Sequence, residues 1–161
     1  MAHEFVLRDQ AVIDAPLERC FLLSTSIEIV VRELGMRPVA GRTSGLVRDG
    51  DTIRWEGWQL GLPHFHVSRI ELFRPPTFFR DRMSDGRFRT FEHDHSLAPQ
   101  PGGQTLFSDE LLFTMHWGWF GDLLGYCLLA PYIRRLMRRR FALLKQIAEG
   151  DEWRKYLPTP Q

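Results

Sequence analysis

The sequence predicts an α+β domain: a curved antiparallel sheet of about six or seven strands wrapped on one long C-terminal helix. Three observations carry this. Runs rich in β-branched and aromatic residues, separated by turn signals, dominate residues 52–117. Apolar residues at spacings of three and four mark the segment after 122. The two patterns are segregated rather than alternating, which argues against a doubly wound parallel sheet.

Phe5 to Ile13 reads as the first strand, stopped by Asp14-Ala15-Pro16, with Pro16 suited to a helix start. Leu17, Cys20, Phe21 and Leu23 mark a short helix. Ser24-Thr25-Ser26 breaks it and caps a second, which runs through Ile27, Val30, Val31 and Leu34 to Gly35. Five strands follow: Thr52–Leu60, His64–Phe73, Thr77–Met83, Arg87–Leu97 and Gln104–Trp117. Asp49-Gly50, Pro75-Pro76 and Ser84-Asp85-Gly86 punctuate them. Gly118 to Gly121 reads as a hinge, and a helix from about Asp122 to Glu149 closes the chain, with a bend at Pro131. Residues 1–150 therefore read as a single domain, and 151–161, with Pro158 and Pro160, as a loose tail.

Composition narrows the class. A chain of 161 residues with 43% hydrophobic and 25% charged residues is an ordinary globular balance. A net charge of +1 gives nothing to nucleic acid. Cys20 and Cys127 lie in apolar stretches and read as free buried thiols. There is no basic segment followed by an apolar run at the start, no span of bilayer length and no cofactor motif, so the default setting is cytoplasmic.

Side chains alternate across a strand, so parity sorts the sheet faces. Phe107, Asp109, Leu111, Phe113, Met115 and Trp117 share the apolar face of the last strand, and Phe91, His93, His95 and Leu97 that of the strand before it. In 77–83, Asp81 lies with Phe79 and Met83, opposite Arg80 and Arg82. A three-residue turn at 85–87 sets Asp81 across from Phe91 and Phe79 across from His93; Asp109 then faces His95 or His93. Two acids and two imidazoles thus converge on an apolar surface, where each needs a partner. Four readings stay open: a structural network, the polar end of a ligand pocket, an acid–base site, or a metal site. His-x-His alone is a weak metal signal, and none is assigned. The inner faces of 52–60 and 64–73 are not legible, although His66 is a fifth candidate polar group.

Ile13-Asp14-Ala15-Pro16-Leu17-Glu18-Arg19-Cys20-Phe21 resembles the strand-to-helix passage of the SRPBCC superfamily, the START and Bet v 1-like helix-grip proteins. The segment from Phe79-Arg80-Asp81 through Asp85-Gly86-Arg87-Phe88 to Phe91-Glu92-His93-Asp94-His95 resembles the signature of its cyclase/dehydrase-like subgroup. Gly102-Gly103-Gln104-Thr105, Asp109 and Arg140-Phe141 extend the likeness over nearly the whole chain. Arg87 stands where that subgroup carries Pro, and Phe91 where it carries Trp. The resemblance implies a cavity between sheet and helix that takes lipids, sterols, polyketides or other apolar compounds.

Two functions follow as expectations. In the first, the chain binds a hydrophobic small molecule; Phe91, Leu111, Phe113 and Met115 supply contact area, and Asp81, His93, His95 and Asp109 orient its polar end. In the second, a polyketide cyclase or dehydratase-type enzyme uses His93 or His95 as a proton shuttle held by Asp81 or Asp109. Arg134, Arg135, Arg138, Arg139 and Arg140 read as a solvated outer face, with anionic headgroups or a phosphorylated ligand as the alternative. The apolar, glycine-broken stretch 117–126 reads as packing at a bend, a mobile pocket mouth, or a patch for peripheral membrane contact or a homodimer.

Overall fold

The computed structural model describes residues 3–158. β1 (Glu4–Ile13) enters α1 (Leu17–Ser24) and α2 (Ile27–Leu34). Ser26 caps α2, its Oγ accepting from the Ile29 N–H at 3.4 Å, and Gly35 ends the helix with φ 66°. The chain then builds β2 (Arg37–Gly41), β3 (Thr52–Gln59), β4 (Leu62–Arg74), β5 (Phe78–Gly86), β6 (Thr90–Pro99) and β7 (Thr105–Thr114). All pairings are antiparallel, in the order β1-β7-β6-β5-β4-β3-β2. The final helical run is α3 (Gly118–Leu124), a π-helical turn (Gly125–Leu129) and α4 (Ala130–Glu149). This is the expected sheet gripping a C-terminal helix, with two short helices after the first strand.

Parity sorts the faces as expected as far as Met115, but the last strand ends at Thr114 and Trp117, expected on the inner face, is 71% exposed. Along β7 the odd residues are buried and the even ones half-buried. Outside, Arg80 bonds both oxygens of Asp94 at 2.6 and 2.7 Å, and Arg82 reaches Glu92 at 2.7 Å. Inside, one buried cluster joins Phe21, Phe107, Phe141, Leu144 and Ile147; a second joins Phe5, Leu111, Phe113, Ile133 and Met137. The two faces that alternation left open are now assigned. Ser68 and Ile70 are buried, so the even residues of β4 look inward, while Trp55 is 5% and Trp58 69% exposed.

Several details differ from expectation. β2 had no sequence signal; a five-residue edge strand containing Pro38 has little alternation to show. β5 continues through Ser84-Asp85-Gly86 on β4, and the bend lies at 87–89, so β6 slides by two residues. Asp81 therefore pairs with His93 and Phe79 with His95. A two-residue shift preserves parity, which is why the face survived it. The helical run starts at Gly118, after Trp117 at φ 69°, and the distortion falls before Pro131 rather than at it. Proline lacks an N–H and its ring crowds the carbonyl four residues back; the preceding turn widens, and the Ala130 N–H reaches Gly125. Cys127 is exposed, not buried; Cys20 is buried, and both are free thiols. The stretch from Asp151 is not loose as far as it is described: Glu152–Lys155 form a 3₁₀ turn, Leu157 is buried, and Arg19 lies 4.3 Å over the Trp153 ring. Residues 159–161 lie outside the described residues.

Candidate ligand-binding site

Between the inner face of β3–β7 and the α3–α4 run lies a cavity of about 490 Å³, within the range of small-molecule sites. Trp55, Ile70, Leu111, Met115, Ile133 and Met137 are among its apolar walls. Residues that both line it and are exposed mark its mouth: Leu60 and Leu62 at the β3–β4 turn, and Trp117 and Leu128 on the facing helical run. Tyr132 donates a hydrogen bond to Gln59 Oε1, tying α4 to the end of β3.

Of the expected site residues, Asp81, Phe91, His93, His95, Leu111 and Met115 line the cavity. Asp109 and Phe113 do not. Asp109 is 2% exposed and lies behind the imidazoles, while Phe113 is fully buried and stacks on Phe5 at 4.7 Å. His66 and His64 also face the cavity, His66 edge-on to Phe91 at 5.2 Å.

The polar cluster is a chain of contacts. His95 faces Asp109 across the β6–β7 ladder. Its Nδ1 lies 2.7 Å from Asp109 Oδ1, and its ring stacks on Phe79 at 4.3 Å. His93 is 4.0 Å from His95, ring to ring, and its Nε2 is 3.2 Å from Asp109 Oδ2 but off the hydrogen-bonding direction. Ser68 donates to Asp81 Oδ2 at 3.0 Å; Asp81 Oδ1 is buried without a partner among the described residues.

Two members had not been anticipated. Arg140, expected on the solvated face, is 5% exposed, and Glu33 of α2 is 6% exposed. The Arg140 guanidinium donates to Glu33 Oε2 at 3.0 Å and to the Ser24 carbonyl at 3.4 Å, with Nε 3.6 Å from Asp109 Oδ2. The signal was present: Ile133, Met137, Arg140, Leu144 and Ile147 step by four and three along one face of α4. A guanidinium on that face must be paired.

The electrostatics follow from burial and pairing. Burial, and then the neighbouring His93, push His95 down to about 3, so it is neutral near pH 7. Burial opposes ionisation of Asp109, but the two facing imidazoles outweigh it and hold the carboxyl below its usual range. An ionised Asp109 makes His95 Nδ1 the donor and leaves Nε2 the lone pair. Burial raises Glu33, with Arg140 opposing. Burial also disfavours the Arg140 charge, and Glu33 and Asp109 more than restore it. The donors of His93, His95 and Asp109 lie within 4.8 Å of one another, the types a zinc site uses. Arg140 against the same carboxylate is a fixed positive charge that opposes a divalent cation there.

Solved structures share this architecture. TTHA0849 from Thermus thermophilus is similar with a TM-score of 0.70 and 20% identity, over 88% of this chain and 95% of that one. The di-domain ARO/CYC BexL from the BE-7585A biosynthetic pathway gives 0.72 and 18%, over 91% of this chain and 50% of that one. A START superfamily protein from Mycobacterium smegmatis gives 0.62 and 12%, over 89% and 97%. No protein-family model and no curated protein matches the sequence. The chain has the helix-grip fold of these structures, which a START superfamily protein and an ARO/CYC protein share.

Proposed function

We propose that this protein binds an apolar small molecule in the cavity between its sheet and α4. The cavity itself carries the reading: about 490 Å³ with mostly apolar walls and a cluster of polar groups on one side. Phe91, Leu111 and Met115 give contact area from the sheet, and Asp81, His93 and His95 meet the polar end of the ligand. Asp109 acts behind them, fixing the His95 tautomer, and Phe113 supports the wall. Mass spectrometry of an organic extract from freshly purified protein tests this. A stoichiometric apolar compound, released on denaturation and missing from a Leu136→Trp variant that fills the cavity, is expected. An empty extract, together with no uptake from a mixed lipid and polyketide pool, would refute it.

A second reading is favoured by the Asp109–His95 pair at 2.7 Å and by the likeness to the ARO/CYC protein: the same cavity catalyses a cyclase or dehydratase-type reaction. A general base works best with a pKa near the working pH, and an imidazole held at about 3 is a weak one. This ranks binding ahead of turnover. Aromatic products formed from a poly-β-ketone substrate and abolished by His95→Gln would reverse the order.

A further inference from the structure

We infer that the ligand presents a hydrogen-bond donor, in the fullest case a protonated amine, rather than a carboxylate or phosphate, to the polar wall of the cavity. This rests on the cavity reading and specifies its ligand class. The cluster holds three carboxylates and one buried guanidinium: Arg140 faces Glu33 and Asp109, while Asp81 accepts only from Ser68 among the described residues. That guanidinium is already engaged by Glu33, the Ser24 carbonyl and Asp109. Arg87, the other guanidinium on the wall, lies in the bend between β5 and β6 and is not buried. His64, His66 and His95 are pushed down by burial and add no charge near pH 7. Among the described residues, the wall therefore lacks a buried arginine or lysine free for an anionic group, His93 already faces the Asp109 carboxylate at 3.2 Å, and Asp81 Oδ1 is an acceptor without a donor. A donor brought by the ligand completes that carboxylate; a second anion adds repulsion in a poorly solvated space.

Three probes on one scaffold test this: 2-naphthylethylamine, 2-naphthaleneethanol and 2-naphthylacetic acid, each displacing the neutral dye N-phenyl-1-naphthylamine. The amine is expected to bind at least about tenfold tighter than the acid, with the alcohol between them. Asp81→Asn should narrow the amine-to-acid ratio. The wild-type ratio decides the matter alone if that variant does not fold. An acid that binds as tightly as the amine, or dye binding with no displacement by any probe, overturns the inference. Failure of the dye itself to bind would instead remove the cavity reading beneath it.

A separate observation concerns the mouth. Trp117, Trp119 and Tyr126 are 71%, 78% and 74% exposed, with Phe120 and Leu123 between them. Leu60, Leu62 and Leu128 join this surface to the cavity wall. Farther along the same helical run, Arg134, Arg135, Arg138 and Arg139 lie outside the core; among the described residues, Arg140 is the one arginine of α4 that pairs with an acid. Aromatics that tolerate an interface, beside unpaired cations, match an anionic bilayer surface. We propose that the rim docks there, opening the cavity toward the lipid. Flotation with phosphatidylcholine vesicles containing phosphatidylglycerol should recover the protein, with less on pure phosphatidylcholine. The variant Trp119→Ser/Phe120→Ser should stay in solution, and Arg138→Glu/Arg139→Glu should lose the dependence on phosphatidylglycerol. No flotation on either vesicle overturns the proposal. So does a concentration-dependent dimer that the rim variant dissolves, since a second copy would then cover this surface.

Discussion

Replacing Arg140 by leucine isolates the buried cluster from everything else on α4. The side chain is 6% exposed, and its donors reach Glu33 at 3.0 Å, the Ser24 carbonyl at 3.4 Å and Asp109 at 3.6 Å. Leucine fills part of the space but leaves Glu33 and Asp109, both almost fully buried, without their counter-charge. Stranding a buried charge this way costs about 3–5 kcal/mol. For a chain of this length each kcal/mol shifts the melting temperature by about 2–4 °C, so a drop of about 6–20 °C is expected. Urea unfolding followed by circular dichroism and tryptophan fluorescence gives the free energy directly. Arg139→Leu, one residue earlier and exposed, is the control and should stay within about 0.5 kcal/mol of the parent. Adding Glu33→Leu to Arg140→Leu should restore part of the loss, because one stranded charge then disappears. Arg140→Leu behaving like Arg139→Leu would show that the guanidinium is solvated and that the cluster is not built as described.

Stability should rise with pH across the histidine range. His95 is held at about 3 and His64 at about 4, with His66 also lowered, so the unfolded chain takes up protons below about 6.5 that the native one refuses. Each fully refused proton contributes a slope of about 1.4 kcal/mol per pH unit, lost as pH falls from 6.5 toward 4, less for the partly exposed His64. Glu33, raised by burial, opposes this with a single proton. Unfolding free energies that stay flat between pH 7 and about 4.5 would contradict the buried histidines. Gly121→Ala should destabilise the start of α3 by about 1–3 kcal/mol, since an added Cβ would sit 1.8 Å from the His116 carbonyl oxygen; an unchanged melting temperature would mean the helix begins elsewhere. Cys127 should react with a thiol reagent in the native protein while Cys20, buried and with its thiol raised by that burial, reacts only on unfolding. Equal rates for the two would refute their placement.

What could be read from the sequence was whatever depends on period alone. Alternation in β6 and β7 set His93, His95 and Asp109 on one face, and this holds under any two-residue slip. The partners could not be read so easily, because they depend on where the bend after β5 falls; its displacement to 87–89 exchanged Phe91 for His93 opposite Asp81. Depth was also hidden. Asp109 and Phe113 share the inner face with Leu111 and Met115, yet the first lies behind two imidazoles and the second under Phe5. Arg140 was misread because its neighbours in sequence are solvated arginines, although its helical position already placed it inward. Glu33, four residues after buried Ile29 on α2, carried the same signal. Charge type outweighed position in the reading of Arg140, and Glu33 was not singled out at all; a paired charge is the case in which position should prevail.

Titration with the neutral dye N-phenyl-1-naphthylamine tests the central claim, an open apolar hollow between sheet and helix. One saturable site per chain is expected, weakened at least about tenfold by Leu136→Trp, whose indole would occupy the hollow. Non-saturable binding, or equal affinity for the filled variant, would contradict the account.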